Sequence, residues 1–333
     1  MSDAVRIGIL GAARISAHAI VGPASRSHDA VIAAVAARDP LRAKEYATKQ
    51  RIPKVAADYA ELLADPEIDA IYNPLPNGLH GRWTIAALEA GKHVLCEKPF
   101  TANADEAREV AAVAERTGRV VMEAFHYRYH PVALRMLEIV QSGELGRLQV
   151  VEANFSFPLP RFSDIRYQFD LAGGALMDPG CYAVHMVRTL GGAGTGGEPS
   201  VVHAEAKLHK PNVDRAMRAD LRFPGGHTGR VRCSMWSSDV LKISARAIGE
   251  HGELSVINPL APSIWHRLSV RTKQGKRIEH LSRRASYDYQ LDAFTGAVLR
   301  GEPILTPPSD SIANMAVIDE IYTAAGLSPR VPS

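Results

Sequence analysis

Along residues 5–124, short and continuously apolar runs alternate with helical patterns. The runs are VRIGIL (5–10), VIAAVAA (31–37), IDAIYN (68–73), HVLCE (93–97) and RVVMEA (119–124). Unbroken apolar runs of this length suit strands buried on both faces, as in a parallel sheet. Helix signals stand between them. Asp39-Pro40 gives an N-cap and first-position pair ahead of LRAKEYA, and Asn103-x-x-Glu106 opens AREVAAVAER, which Gly118 closes. This alternation predicts a doubly wound α/β domain over residues 1–124.

The period changes after YRYHP (127–131). In AMRADLRF (216–223) the residues Met217, Ala219, Leu221 and Phe223 alternate with Arg218, Asp220 and Arg222. RVRCSMW (230–236), KISARAI (242–248) and ELSVIN (253–258) repeat the alternation, and KQGK (273–276) reads as a hairpin turn. Period two with one polar face predicts an open, mostly antiparallel sheet covered on one side. Residues 125–333 are thus expected to form an α+β domain. Its last helix would carry Ile312, Met315, Ile318 and Ile321 on one face. The one-sided sheet further suggests a homodimer or homotetramer packed through the other face.

Composition narrows the classes. The 333 residues are 46% apolar and 23% charged, with a net charge of +3 and no basic block, which leaves nucleic acid and anionic membrane without an electrostatic footprint. Cys96, Cys181 and Cys233 are widely spaced and outside any CxxC pattern, so neither a disulfide framework nor a zinc site is expected and a reducing cytoplasm fits. No apolar segment approaches the roughly 20 residues a membrane span needs. Residues 1–10 show no signal-peptide pattern. GGAGTGGEPS (191–200) reads as a surface loop.

Candidate chemistry collects at strand ends. RIGILGAARIS (6–16) places Gly11 where the first strand turns toward a helix. A dinucleotide fingerprint there would read G-x-G-x-x-G, but this chain has Ala13 and Ser16 at the second and third glycine positions. Gly11, Ala12, Ala13, Arg14 and Ile15 are the expected pyrophosphate contacts. AVAARDP (34–40) ends the second strand with no carboxylate for a ribose 2′-hydroxyl and offers Arg38 instead. That arrangement suits a 2′-phosphate and hence NADP over NAD, the alternative for Arg38 being a solvated surface arginine. NPLPNGLH (73–80), EKP (97–99) and EAFHYRYHP (123–131) follow three further strands. Ligands of open α/β sheets bind beyond such carboxyl ends. Read alone, EKP also suits a strand running out into a solvated turn. His126 and His130 have i, i+4 spacing, but Pro131 disfavours helix at His130 and no third ligand is evident, so no metal is expected. GGALMDPGCYAVH (173–185) leads into Asp178-Pro179, read as a cap and first position.

These motifs together resemble the glucose–fructose oxidoreductase/inositol dehydrogenase/rhizopine catabolism (Gfo/Idh/MocA) family. The likeness runs end to end through GILGAARI, PLPNGLH, EKPF, MEAFHYRYHP, GGALMDPGCY and DAFTGAVLRGEP…NMAVIDEIY. It is closest to the branch of dihydrodiol and NADP-dependent D-xylose dehydrogenases. The missing fingerprint glycines and Pro179 within D-x-G-x-Y depart from the family pattern. The resemblance implies an NADP-dependent dehydrogenase with Lys98 and Tyr182 as the catalytic pair and a cis bond before Pro99. It also implies cofactor contacts from Pro74, Leu75, Pro76, Asn77, His80, Glu97, Lys98 and Arg166. Asp178, Tyr182 and His185, at i, i+4 and i+7, share a helix face.

Oxidising a secondary alcohol needs a hydride acceptor and a destination for the hydroxyl proton. Tyr182 serves as the proton acceptor if a nearby cation lowers its pKa, and Lys98 is the candidate cation. The alternative is that Lys98 itself relays the proton. Asp178 is a structural cap or a functional carboxylate, and His185 a substrate contact or a packed histidine. Tyr127, Arg128, Phe157, Arg161 and Phe162 mix aromatic and basic groups, which suits a sugar or a cyclic diol. Two other functions fit the same fold: a non-catalytic NADP-sensing regulator, and a sugar–sugar oxidoreductase holding NADP tightly. Retention of Lys98 and Tyr182 argues against the first.

Overall fold

The computed structural model describes residues 4–193 and 196–333. By Cα proximity the chain forms two compact units. The first comprises residues 1–126 and 287–312, the second residues 127–286 and 313–333. Both are discontinuous in sequence, because residues 287–312, beyond the sheet of the second unit, return to pack with the first.

The first unit is built on six parallel strands: β1 (Val5–Leu10), β2 (Ala30–Ala36), β3 (Lys54–Val55), β4 (Ala70–Asn73), β5 (His93–Cys96) and β6 (Val121–Glu123). Their order is β3-β2-β1-β4-β5-β6, the doubly wound arrangement the apolar runs predict. Every residue of β4 is buried, as are three of four in β5 and all of β6. That is why these runs read as unbroken apolar stretches. The two-residue β3 carries too little pattern to be found in the sequence.

The capping signals hold. Asp39 Oδ1 accepts from the Leu41 and Arg42 amides at 2.9 and 3.3 Å and starts the helix Pro40–Gln50. Asn103 Oδ1 accepts from the Glu106 amide at 2.9 Å, Glu106 Oε2 accepts from the Ala102 amide at 2.8 Å, and Gly118 ends the helix Ala104–Thr117 at φ 64°.

The second unit holds eight strands: β7 (Leu148–Ser156), β8 (Ser200–Lys210), β9 (Val213–Arg222), β10 (Thr228–Ser234), β11 (Lys242–Gly249), β12 (Gly252–Ile257), β13 (Arg267–Thr272) and β14 (Gly275–Glu279). Their order is β14-β13-β12-β11-β7-β10-β9-β8, antiparallel except where β10 meets β7. Residues 273–274 form the hairpin between β13 and β14. Met217, Ala219, Leu221, Val231, Cys233, Ala245, Ala247, Leu254 and Val256 are buried, while Arg218, Asp220, Arg222, Arg230 and Arg232 are exposed. The helix Cys181–Gly192 packs on β7 and β10. The predicted loop 191–200 is shorter, since that helix runs through Gly192 and β8 opens at Ser200; residues 194 and 195 lie outside the described residues. In the helix Pro308–Ala324, Met315, Ile318 and Ile321 are buried as expected, Ile312 is half-buried, and Asn314, Val317 and Tyr322 join the buried set.

One local prediction fails. Asp178-Pro179 does not cap a helix, because the helical run begins earlier, in a wide turn over Leu176–Gly180. Pro179 has no N–H to give the Ala175 carbonyl, and the Gly180 amide donates to it instead at 2.8 Å. Asp178 therefore lies inside the helical turn and not at its cap position.

Candidate active site

The phosphate end of the first unit forms where β1 stops. Gly11 adopts φ +83°, and its amide donates to the Ala36 carbonyl at 2.6 Å. A Cβ at this position would be strained and would meet Leu75 Cδ2 at 3.1 Å. Ala12 packs with Ala37 and Ala43. Ala13 is half-buried, and Arg14 and Ile15 are exposed. Arg38, exposed at the end of β2, has a partner that sequence reasoning missed. Arg42, one turn into the next helix, donates to the Ala12 carbonyl at 3.1 Å. Both guanidinium groups act on Tyr59. Burial pushes that phenol up, while Arg38 and Arg42 oppose the shift. Two cations beside a positive-φ turn suit a phosphate-bearing ligand. Arg42 was findable in the sequence as a second arginine in the first turn after Asp39-Pro40.

The turns after β4 and β5 are tied together. Asn73 Nδ2 donates to the His80 carbonyl and to Thr84 Oγ1, each at 3.1 Å, and Asn73 Oδ1 lies 3.4 Å from the Leu75 amide. His80 is buried, with Nδ1 2.7 Å from the Pro99 carbonyl and Nε2 2.6 Å from the Leu75 carbonyl. Burial holds this ring down at about 4, against the two carbonyls that favour its charged form; the Lys98 ammonium pushes with burial. Neutral near pH 7, the ring has one N–H and donates to only one of these carbonyls, while its other nitrogen also faces main chain. Pro74 and Leu75 are buried and Pro76 and Asn77 half-buried. Glu97 is buried, and its Oε1 accepts from Tyr72 at 2.7 Å. Lys98 is half-buried, and the Lys98–Pro99 peptide is cis.

In the second unit, Asp178, Tyr182 and His185 lie on the helical run that starts at Leu176. Arg166 Nε pairs with Asp178 Oδ2 at 3.0 Å, and the Asp178 charge is the main influence raising the Arg166 pKa. Tyr182 is 6% exposed. Its ring lies between Tyr127 and Phe155, with centroids at 6.0 and 5.6 Å, and Phe157 follows Phe155 at 5.7 Å. His185 is buried, with Nδ1 2.6 Å from the Tyr127 hydroxyl. One guanidinium nitrogen of Arg128 is buried with no hydrogen-bond partner. Arg161 is exposed, and Phe162 stacks on His209 at 4.9 Å. The structure therefore gathers Tyr127, Phe157, Arg166, Asp178, Tyr182 and His185 around one helix. His130 caps the helix Pro131–Gln141 by accepting from the Val132 amide at 3.1 Å.

Comparison with known proteins covers both units. Residues 5–125 match an oxidoreductase family model with an NAD-binding Rossmann fold, and residues 133–255 match the corresponding C-terminal domain model. A D-xylose 1-dehydrogenase (NADP(+)) of Haloferax volcanii is 38% identical over 320 residues, 96% of each chain. A trans-1,2-dihydrobenzene-1,2-diol dehydrogenase of Mus musculus is 36% identical over 235 residues, 70% of this chain and 68% of its own. A 3-ketoreductase of Actinomadura kijaniata, solved with NADP and TDP-benzene, superposes with a TM-score of 0.88 at 27% identity over 97% of this chain and 98% of its own. Solved variants of that enzyme replace a lysine by alanine or glutamate and a tyrosine by phenylalanine. No helix among the described residues is long and apolar enough to cross a membrane.

Proposed function

We propose, for a chain that belongs to the Gfo/Idh/MocA oxidoreductase family, a specific reaction: reversible hydride transfer between NADP and a secondary alcohol of a sugar or cyclic diol. Gly11 and its following turn, with Arg38 and Arg42, would hold the cofactor's phosphates, and the turns at 74–80 and 97–98 its other end. The bound dinucleotide supplies the hydride acceptor or donor. Everything else falls to the protein. Tyr182 takes the hydroxyl proton in oxidation and returns it in reduction, with Lys98 as the assisting cation. Arg166 holds Asp178, and Tyr127 holds His185, so the face of the helix that carries Tyr182 is braced on both sides. Phe155 and Phe157 offer apolar surface to a ring, and Arg128 a hydrogen-bond donor to its hydroxyls.

The observation that carries this reading is that Lys98, in the turn after β5, and Tyr182, on the helix Cys181–Gly192, are both present in a chain matched through both domains. The test is a panel of pentoses, hexoses, inositols and cyclic diols, followed by absorbance of reduced cofactor with NADP and with NAD. Tyr182→Phe and Lys98→Met are each expected to lower kcat by about 10²–10⁴-fold while NADP binding changes little. If the two act as one unit, the double variant is barely worse than either single one. NADP binding without turnover on any substrate would hand the chain to the regulatory reading. Full activity in Tyr182→Phe with loss in His185→Ala would move the proton to His185.

A further inference from the structure

The second unit contains a fully buried ion pair that neither the motifs nor the proposed reaction uses. Arg330 and Asp214 are both wholly excluded from solvent, and Arg330 Nη2 lies 2.9 Å from Asp214 Oδ1. Tyr322 donates to the same oxygen at 3.0 Å, and the Arg330 guanidinium lies over the Tyr322 ring at 4.0 Å and the Phe169 ring at 5.1 Å. Burial pushes the Asp214 carboxyl up, and Arg330 is the main group opposing it. A buried pair is weak evidence for stability in itself, since apolar residues of similar volume commonly serve as well. What the remaining hydrogen bonds reach is more telling.

They reach the start of the helix that carries Tyr182. Asp214 Oδ2 accepts from the Leu176 amide at 2.7 Å, and its main-chain carbonyl accepts from the Ala175 amide at 2.9 Å. Arg330 Nε donates to the Gly173 carbonyl at 2.6 Å. Between them Gly174 sits at φ +137°, donating to the Arg166 carbonyl at 2.8 Å and accepting from the Asp178 amide at 3.1 Å. A Cβ on Gly174 would stand 2.2 Å from Asp214 Oδ1 and 2.7 Å from Arg330 Nη2, so the turn closes directly on the pair. The same turn fixes Arg166 relative to Asp178. The wide turn Leu176–Gly180 runs without a break into the helix Cys181–Gly192, whose second residue is Tyr182, so a displacement of the turn is passed on to the phenol.

We propose that Asp214 and Arg330 are positioning residues for the acid–base tyrosine, holding residues 173–176 so that Tyr182 and the Arg166–Asp178 pair keep one orientation. This rests on the reading that Tyr182 exchanges the proton. Misplacing a reacting group by about 1 Å costs on the order of 10²-fold in rate. The experiment compares Arg330→Met, Arg330→Lys and Tyr322→Phe with the wild type and with Tyr182→Phe. It measures kcat and KM, NADP affinity by fluorescence, melting temperature, and hydrogen exchange of residues 172–182 in the ligand-free protein. For Arg330→Met, kcat should fall about 10–100-fold, with NADP affinity within about twofold and faster exchange at 172–182. Arg330→Lys should recover part of both losses. Should Arg330→Met fail to fold, Arg330→Lys and Tyr322→Phe carry the test, with smaller falls in kcat and the same local gain in exchange. A lowered melting temperature with wild-type kcat, or unchanged exchange at 172–182, overturns the proposal and leaves a packing role. If Tyr182→Phe is itself active, the acid–base reading falls, and the exchange data alone then decide whether the pair holds the turn.

Discussion

His80 shows how burial changes the meaning of a residue. The motif NPLPNGLH makes it a natural cofactor contact, and the ring is buried with each nitrogen facing a main-chain carbonyl. Its pKa is held at about 4, below the ordinary 6.5, so the unfolded chain takes up a proton first as pH falls. The stability tied to this ring is complete above pH 6.5 and is lost on the way down through pH 4. Urea unfolding is expected to show a loss of about 2 kcal/mol from this group between pH 7 and pH 4.5. His80→Gln should be less stable at pH 7 and flatter by about that amount across the window. Equal pH slopes in the two proteins would remove His80 as the cause. The arginines make the second prediction at this scale. Arg38→Ala and Arg42→Ala are each expected to weaken NADP binding about tenfold or more while leaving NAD nearly unchanged, as a lost charge-assisted hydrogen bond implies. Titration with both cofactors decides it. Equal losses for both would place the arginines elsewhere than at the 2′-phosphate.

The elements most legible in the sequence are those whose ends are marked by side chains. Asn103, Glu106 and Gly118 bound one helix through contacts no more than four residues apart, so the sequence carries both the signal and its partner. That cap also anchors the segment leaving the Lys98–Pro99 turn, where Thr101 Oγ1 donates to the Asn103 carbonyl at 2.8 Å. Asn103→Ala should cost about 1 kcal/mol, read as a lower urea midpoint with an unchanged slope, and Asn103→Asp should restore most of it. Asp178-Pro179 carries the same letters as Asp39-Pro40 and folds differently. The turn over Leu176–Gly180 widens, and the cap position passes to Ala175, whose amide is taken by Asp214 from β9. A contact from a distant strand outweighed the local signal.

For the whole molecule, the sheet of the second unit bears directly on assembly. The face opposite the helix carries Arg230–Glu152 and Arg246–Glu253 pairs at 2.9 and 2.7 Å, with Ile257 and Ile278 exposed among them. A homodimer or homotetramer packed through this face is expected, with light scattering at low micromolar protein giving two or four times the 36.1 kDa chain mass. A clean single-chain mass would defeat that. The amino-acid sequence by itself determined the parallel sheet, the change to alternating strands, the main caps, the strand-end motifs that bear Gly11, Arg38 and Lys98, and the helical stretch that bears Tyr182. Each depends on periodic burial or on neighbours a few residues away. Only the tertiary structure decided that residues 287–312 belong with the first unit, that Arg42 reaches the Ala12 carbonyl, and that Arg330 meets Asp214 across 116 residues of chain. Those pairings have no local period, because packing selects them once the elements exist.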